Sequence, residues 1–232
     1  MKYQNIVQAT FIHRPNRFIA YCQIDDKTVI AHVKNTGRCQ EILIPGTIVY
    51  LEYAPSPTRK TAYSLIAARK GEYLINIDSQ IPNYVALEGI KRGTLQLPNV
   101  TEEIVTLKKE VSYRSSRFDL YLETLSGQKI FVEVKGVTLE RDGMVSFPDA
   151  PTKRGTKHIY ELIEATKEGY CACILFVVQM SGVHYFTPNK EMDLDFATAL
   201  LKAKEVGIHI MAYECAVTPN HIEIKAPIAV CL

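Results

Sequence analysis

No apolar run in this 232-residue chain is long enough to span a bilayer. The opening, Met1-Lys2-Tyr3-Gln4-Asn5, lacks the apolar stretch of a signal peptide, so none is expected. The six cysteines, Cys22, Cys39, Cys171, Cys173, Cys215 and Cys231, form no Cys-x-x-Cys pair and no zinc spacing. Most lie within apolar runs, where cysteine acts as a small hydrophobe. There is no internal repeat and no low-complexity tract, and no set of aromatic platforms flanked by amides that would mark a sugar pocket. These absences leave a cytoplasmic protein with reduced thiols and no membrane partner. A hydrophobic content of 47% with 22% charge supplies a proper core, and the length admits one large domain or two ordinary ones.

A large net charge is also missing, at +2 overall, but the charge is uneven. Residues 1–80 carry ten Lys/Arg against six Asp/Glu, and the remainder seventeen against nineteen. That bias fits a nucleic-acid grip beside an acidic site, or an ordinary solvated surface.

Residues 1–80 read as six short strands, near Ile6–His13, Phe18–Ile24, Lys27–Val33, Ile48–Glu52, Tyr63–Lys70 and Tyr73–Ile77. Gly, Pro and Asn punctuate them and no helical periodicity interrupts, which predicts a small closed barrel. Residues 81–232 change rhythm. A helix over Tyr84–Ile90 follows Pro82, and strands follow near Ile104–Val111, Arg117–Glu123 and Lys129–Val137. A loop from Gly143 to Pro151 leads into a helix from Lys153 to Lys167. The unbroken apolar run Cys171–Val178 suits a strand buried on both faces. A helix over Asp193–Val206 and a strand over Ile208–Cys215 complete a mixed α/β sheet; no element is read after Pro219.

The chemistry concentrates in the hairpin. In Arg117–Glu123, Phe118, Leu120 and Leu122 share one face and Asp119, Tyr121 and Glu123 the other. In Lys129–Lys135, Ile130, Val132 and Val134 alternate with Phe131, Glu133 and Lys135. Both apolar sets meet one core only if even residues pair with even, because a one-residue slip inverts the face. A turn of odd length around Ser126-Gly127-Gln128 achieves this. Asp119 then lies opposite Glu133 or Lys135. Two carboxylates hold Mg²⁺ through hard oxygen ligands, and a lysine beside them can orient a nucleophile and offset charge on a phosphoryl group. The alternative is a cross-strand ion pair on a solvated face.

Other residues join this pattern. Glu88 lies on the helix entering the second domain, and Gln179 ends the buried strand at the edge where open α/β sheets place function. Thr152-Lys153-Arg154-Gly155-Thr156-Lys157-His158 opens a helix, whose N–H groups attract phosphate, with Arg154 and Lys157 as reinforcement. His158 reads equally as a proton-transfer group or a helix-surface residue. Asp149 reads as a ligand or a turn former. On the barrel, Arg14, Arg17, Lys34, Arg38, Arg59 and Lys60 sit in or beside turns, interleaved with Phe11, Phe18, Tyr50 and Tyr53. Barrels of this size stack bases on aromatics while cations follow the backbone; aromatics filling the barrel under solvating cations would read the same.

These stretches resemble the sugar fermentation stimulation protein A (SfsA) family. The matching residues include Arg17-Phe18, Asn35-Thr36-Gly37-Arg38, Pro82-Asn83, Ser116-Arg117-Phe118-Asp119, Val132-Glu133-Val134-Lys135-Gly136-Val137-Thr138-Leu139, Phe147-Pro148-Asp149-Ala150, Arg154-Gly155-Thr156-Lys157-His158 and Phe176-Val177-Val178-Gln179. The resemblance implies an OB-like barrel followed by a PD-(D/E)xK nuclease-like domain. In that pattern Asp119 and Glu133 match the metal ligands, Lys135 the catalytic lysine, Glu88 the first-helix acid and Gln179 the glutamine of the fourth core strand. Phe118 stands where the superfamily name has Pro. The family is described as binding DNA and affecting sugar utilisation, maltose in particular. The expectation is therefore a DNA-binding protein, on single or double strands, whose site hydrolyses phosphodiesters with Mg²⁺ or Mn²⁺. Its alternative is a non-catalytic regulator that uses the nuclease core as scaffold. A homodimer fits either.

Overall fold

The computed structural model describes residues 1–35, 37–55 and 61–232. Arg59 and Lys60 lie outside the described residues. The six expected N-terminal strands form: β1 (Ile6–Asn16), β2 (Ile19–Ile24), β3 (Lys27–Val33), β4 (Ile48–Tyr53), β5 (Tyr63–Lys70) and β6 (Tyr73–Asn76). Their order is β3-β2-β1-β4-β5-β6, and a further parallel pairing of Ala31 with Tyr63 through Val33 with Leu65 joins β3 to β5. Five strands thus close on themselves, which leaves no free barrel edge. Alternate residues such as Ala9, Phe11, Ala20, Cys22, Leu51 and Leu65 fill the interior.

The rest of the chain builds a nine-stranded mixed sheet flanked by helices. It contains α1 (Pro82–Arg92), β7 (Ile104–Tyr113), β8 (Ser116–Thr124), β9 (Lys129–Val137), β10 (Leu139–Arg141), β11 (Met144–Phe147), α2 (Lys153–Lys167), β12 (Cys171–Val178), β13 (Tyr185–Pro188), α3 (Leu194–Glu205), β14 (His209–Thr218) and β15 (His221–Val230). The strand order is β10-β11-β13-β15-β14-β12-β9-β8-β7. Strand β12 runs parallel to both β9 and β14. Its side chains divide between the two faces, Ile174, Phe176 and Val178 in one core and Cys173, Leu175 and Val177 in the other. Helix α1 covers the second face with Val85, Ala86 and Ile90; α2 and α3 cover the first with Ile159, Leu162, Phe196 and Leu200. Among the described residues no helix is long and apolar enough to cross a membrane.

Two expectations about where strands form need correction. The segment after Pro219 is the ten-residue strand β15, paired with β14 over most of its length. Pro227 within it lacks the N–H of a central strand and so disguises it. The expected loop from Gly143 to Pro151 contains β11, paired in parallel with β13; both are only four residues long.

The hairpin register is as argued from parity, with Leu120 opposite Val132 and Leu122 opposite Ile130. Thr124 and Gln128 close the turn through a backbone hydrogen bond, with Gly127 at φ 84°. Phe118, however, does not share the face of Leu120 and Leu122. It packs on Phe131, ring centroids 4.9 Å apart, while Leu120 and Leu122 join Ile130 and Val132 on the other face. The neighbouring strand switches at the same level: Val111 packs with the core of Phe118, Leu107 with that of Leu120 and Leu122. Glu110, between them, takes φ 54°, a left-handed conformation that reverses the side-chain alternation at a cost few non-glycine residues bear. Asp119 sits at the switch.

Candidate active site

The β8–β9 pairing runs from Glu123 and Lys129 to Leu120 and Val132, and the Asp119 carboxylate takes over at the next step. Its Oδ2 accepts the Val134 backbone N–H at 2.8 Å. Its Oδ1 accepts from Asn83 Nδ2, also at 2.8 Å. Asn83 lies in the first turn of α1, where Pro82 supplies a fixed φ. Asp119 opens into a cleft of about 620 Å³ lined by Ser79, Gln80, Asn83, Tyr84, Lys109 and Glu110.

Glu133 is buried at 2% exposure. Its Oε1 accepts from Lys135 Nζ and His158 Nδ1, each at 2.6 Å. Its Oε2 is buried without a hydrogen-bond partner. An orphaned carboxylate oxygen in the interior is costly and asks for a ligand. Burial pushes the Glu133 carboxyl up, but the His158 hydrogen bond and the charge and hydrogen bond of Lys135 outweigh it and hold it below the usual carboxylate range. Asp119 goes the other way. Burial, then the charge of Glu133, raise it against the opposing pull of the Val134 amide, Lys135 and Asn83. Two neighbouring acids shifted in opposite directions are a common mark of a working site.

His158 was left open between two roles by the sequence. It is buried, on the stripe of α2 that includes Gly155, Ile159 and Leu162, a three- and four-residue spacing that could have revealed it. Asn83 was singled out in the sequence only as part of the matching Pro82-Asn83 stretch, with no role assigned to it.

The remaining expected residues divide. Glu88 does not join Asp119: its carboxylate pairs with the Met1 amine and Arg92, each at 2.7 Å. The α1 side chain at the carboxylates is Asn83 instead. Gln179 is buried, and its amide nitrogen donates to the Asn76 carbonyl, Asn76 Oδ1 and the Asp78 carbonyl at 2.9–3.1 Å. It fastens the barrel to the mixed sheet. Arg14 donates to the carbonyls of Asn16, Arg17, Asn35, Gly37 and Arg38. Its guanidinium is saturated by backbone and is a scaffold for this loop, not a free phosphate grip. Lys34 is likewise occupied, 3.1 Å from buried Asp78. Arg17 and Arg38 are exposed and form no ion pair among the described residues; they share an approximately 620 Å³ pocket with His13 and Phe11. Arg154 and Lys157 line a separate cleft of about 520 Å³ with Arg114, Arg117 and Lys153, which contains no carboxylate. Among the described residues no group of three or more His, Cys, Asp or Glu side chains is placed to hold a metal. A cation on Asp119 and Glu133 would complete its shell with water or substrate oxygens, as Mg²⁺ does.

Comparisons with known proteins cover both halves of the chain. Residues 12–77 match the model of the SfsA N-terminal OB domain, and residues 80–221 that of the sugar fermentation stimulation protein RE domain. A sugar fermentation stimulation protein homolog of Desulfitobacterium hafniense (strain Y51) is 52% identical over 224 residues, covering 96% of this chain and 95% of that protein. The homolog of Clostridium beijerinckii is 50% identical, covering 97% of each. The structure of Pyrococcus furiosus SfsA in complex with Ca²⁺ superposes with a TM-score of 0.86 at 30% identity, over 100% of this chain and 98% of that one.

Proposed function

Since this chain belongs to the sugar fermentation stimulation protein (SfsA) family, we propose that it binds DNA and hydrolyses phosphodiesters with a divalent metal, Mg²⁺ or Mn²⁺, on Asp119 and Glu133. The observation that carries this reading is the buried, unpartnered Oε2 of Glu133 beside the half-buried Asp119. Two carboxylates of opposite pKa shift, one with an oxygen free, fit a hard divalent cation. The Ca²⁺ of the Pyrococcus furiosus relative supports the same class of ligand. A metal bound there would polarise a phosphoryl oxygen and make a water more acidic.

The chain's own residues have separable tasks. Asn83 and the Val134 amide fix the Asp119 carboxylate in place. Lys135, mostly buried, anchors Glu133 and brings an ammonium to where phosphoryl charge develops. Arg17 and Arg38 on the barrel, with Arg154 on α2, are the cations available to backbone phosphates; Lys157 beside them is shared between Glu161 and the Ser115 carbonyl.

A second reading, a DNA-binding regulator of sugar metabolism without cleavage, is favoured by one observation. Glu88, the expected third acid, is spent on Met1 and Arg92. The test is cleavage of labelled single- and double-stranded DNA with Mg²⁺ or Mn²⁺, wild type beside Glu133→Ala and Lys135→Ala. Metal-dependent cutting lost in both variants supports the enzyme. Binding without cutting, in either metal and on both substrates, overturns it in favour of the regulator.

A further inference from the structure

His158 carries a function that the carboxylate–lysine pattern does not contain. Its ring is 5% exposed and stands edge-on to Phe118, with centroids 6.2 Å apart and planes at 88°. Phe118 is available for this contact only because the chain switches faces at Asp119. The histidine's Nδ1 is 2.6 Å from Glu133 Oε1. On the far side of the ring, Arg154 Nε donates to Nε2 at 3.4 Å. Arginine has no acceptor to offer, so Nε2 accepts and the proton of the neutral ring lies on Nδ1, where it is donated to Glu133.

We propose that His158 is a positioning residue: it clamps Glu133 Oε1 so that Oε2 is left for the metal, and through Arg154 it ties that carboxylate to the cation-lined cleft of α2. The inference rests on the metal-site reading above and deepens it. A carboxylate buried between strands has two oxygens that exchange by rotation about its terminal bond. Lys135 alone is a flexible ammonium with rotatable donors and fixes neither oxygen firmly. A planar ring held by Phe118 and Arg154 restricts the direction of approach, so the two donors together define which oxygen is occupied. The cleft beyond Arg154 adds a second consequence. Lys153 and Arg154 form no ion pair among the described residues, so a substrate phosphate there meets the same arginine that sets the histidine. Outer-shell partners of this kind change metal affinity by roughly 10–100-fold when removed.

The discriminating pair is His158→Asn and His158→Gln. The Asn amide nitrogen falls near the position of Nδ1 and can still donate to Glu133; the Gln amide nitrogen falls near Nε2 and cannot. Loss of ring packing burdens both alike. Mn²⁺ titration calorimetry on the full-length protein, with melting temperature as the fold control, reads the difference without reference to cleavage. The expected result is Mn²⁺ affinity roughly 10–100-fold weaker in His158→Gln and largely restored in His158→Asn. Equal affinities in the two variants overturn the positioning role. Glu133→Ala separates the two levels: if it abolishes Mn²⁺ binding while the histidine variants match wild type, only the role of His158 fails. If Glu133→Ala binds Mn²⁺ like wild type, the metal site fails and the inference with it. Should His158→Gln not fold, Arg154→Ala, which frees Nε2 from the exposed side, is expected to weaken Mn²⁺ binding in the same direction, and wild-type affinity there overturns the inference.

Discussion

Asp119 accepts the backbone N–H of Val134 through Oδ2 at 2.8 Å, so a side chain replaces the strand ladder at the level of the candidate site. The hairpin opens there, with the carboxylate held by β9 on one side and by Asn83 of α1 on the other. An acid fixed in this way cannot relax away from Glu133, and the strain is measurable.

Asp119→Asn is expected to stabilise the protein at neutral pH, by roughly 0.5–2 kcal/mol. The sign follows from the raised carboxyl. The folded state holds the Asp119 proton more tightly than the unfolded state, so stability is lost as pH rises from the unfolded value through the raised one. Urea unfolding at neutral pH and again near pH 4 checks this: the advantage of the variant should shrink at the lower pH.

Glu133→Gln is expected to act in the opposite sense. Its carboxyl is held low, so the ionised form contributes stability above the unfolded pKa, and that contribution disappears as pH falls through the folded value. The variant should unfold at lower urea than wild type at pH 7, with the gap closing in acid. A gap independent of pH would mean that Lys135 and His158 do not hold an ionised Glu133.

Gln179→Ala removes a buried amide that donates to Asn76 and Asp78 and leaves three acceptors between barrel and sheet without that donor. A loss of roughly 2–4 kcal/mol is expected, measured by chemical denaturation. Gly136→Ala probes the same junction: its Cβ would stand 2.6 Å from Gln179 Oε1 and 2.7 Å from Pro82 Cγ. Displacing Pro82 should cost roughly 1–3 kcal/mol.

Arg38→Ala and Arg14→Ala should separate phosphate contact from scaffold in DNA binding. Arg38 is exposed, so its loss is expected to lower the slope of log affinity against log salt by about one. Arg14 is spent on five carbonyls. Its loss should lower the melting temperature and weaken binding through disorder of the loop, which a circular dichroism melt and the salt slope together distinguish.

Much of this was legible in the chain because it depends on local pattern. Alternation with turn residues foretold the six N-terminal strands, the apolar run Cys171–Val178 its double burial, and even-to-even parity the register that sets Leu120 against Val132. The positions of Asp119, Glu133 and Lys135 on that hairpin followed. What periodicity could not supply was any feature made by distant segments. The face switch at Asp119 lies opposite the left-handed Glu110 of the neighbouring strand, and β15, whose pattern Pro227 interrupts, is held as a strand by its pairing with β14 and β13.

The sequence by itself determined which residues alternate, where the chain turns and which acids share a hairpin, since those are set by side-chain type and spacing. Only the tertiary structure decided how each charge is used. Arg14, Lys34 and Glu88 were drawn into carbonyl and ion-pair contacts, while His158 was carried inward on α2 to meet Glu133. The physical reason is that a polar group leaving water must find partners nearby, and which partners are nearby is a property of the fold.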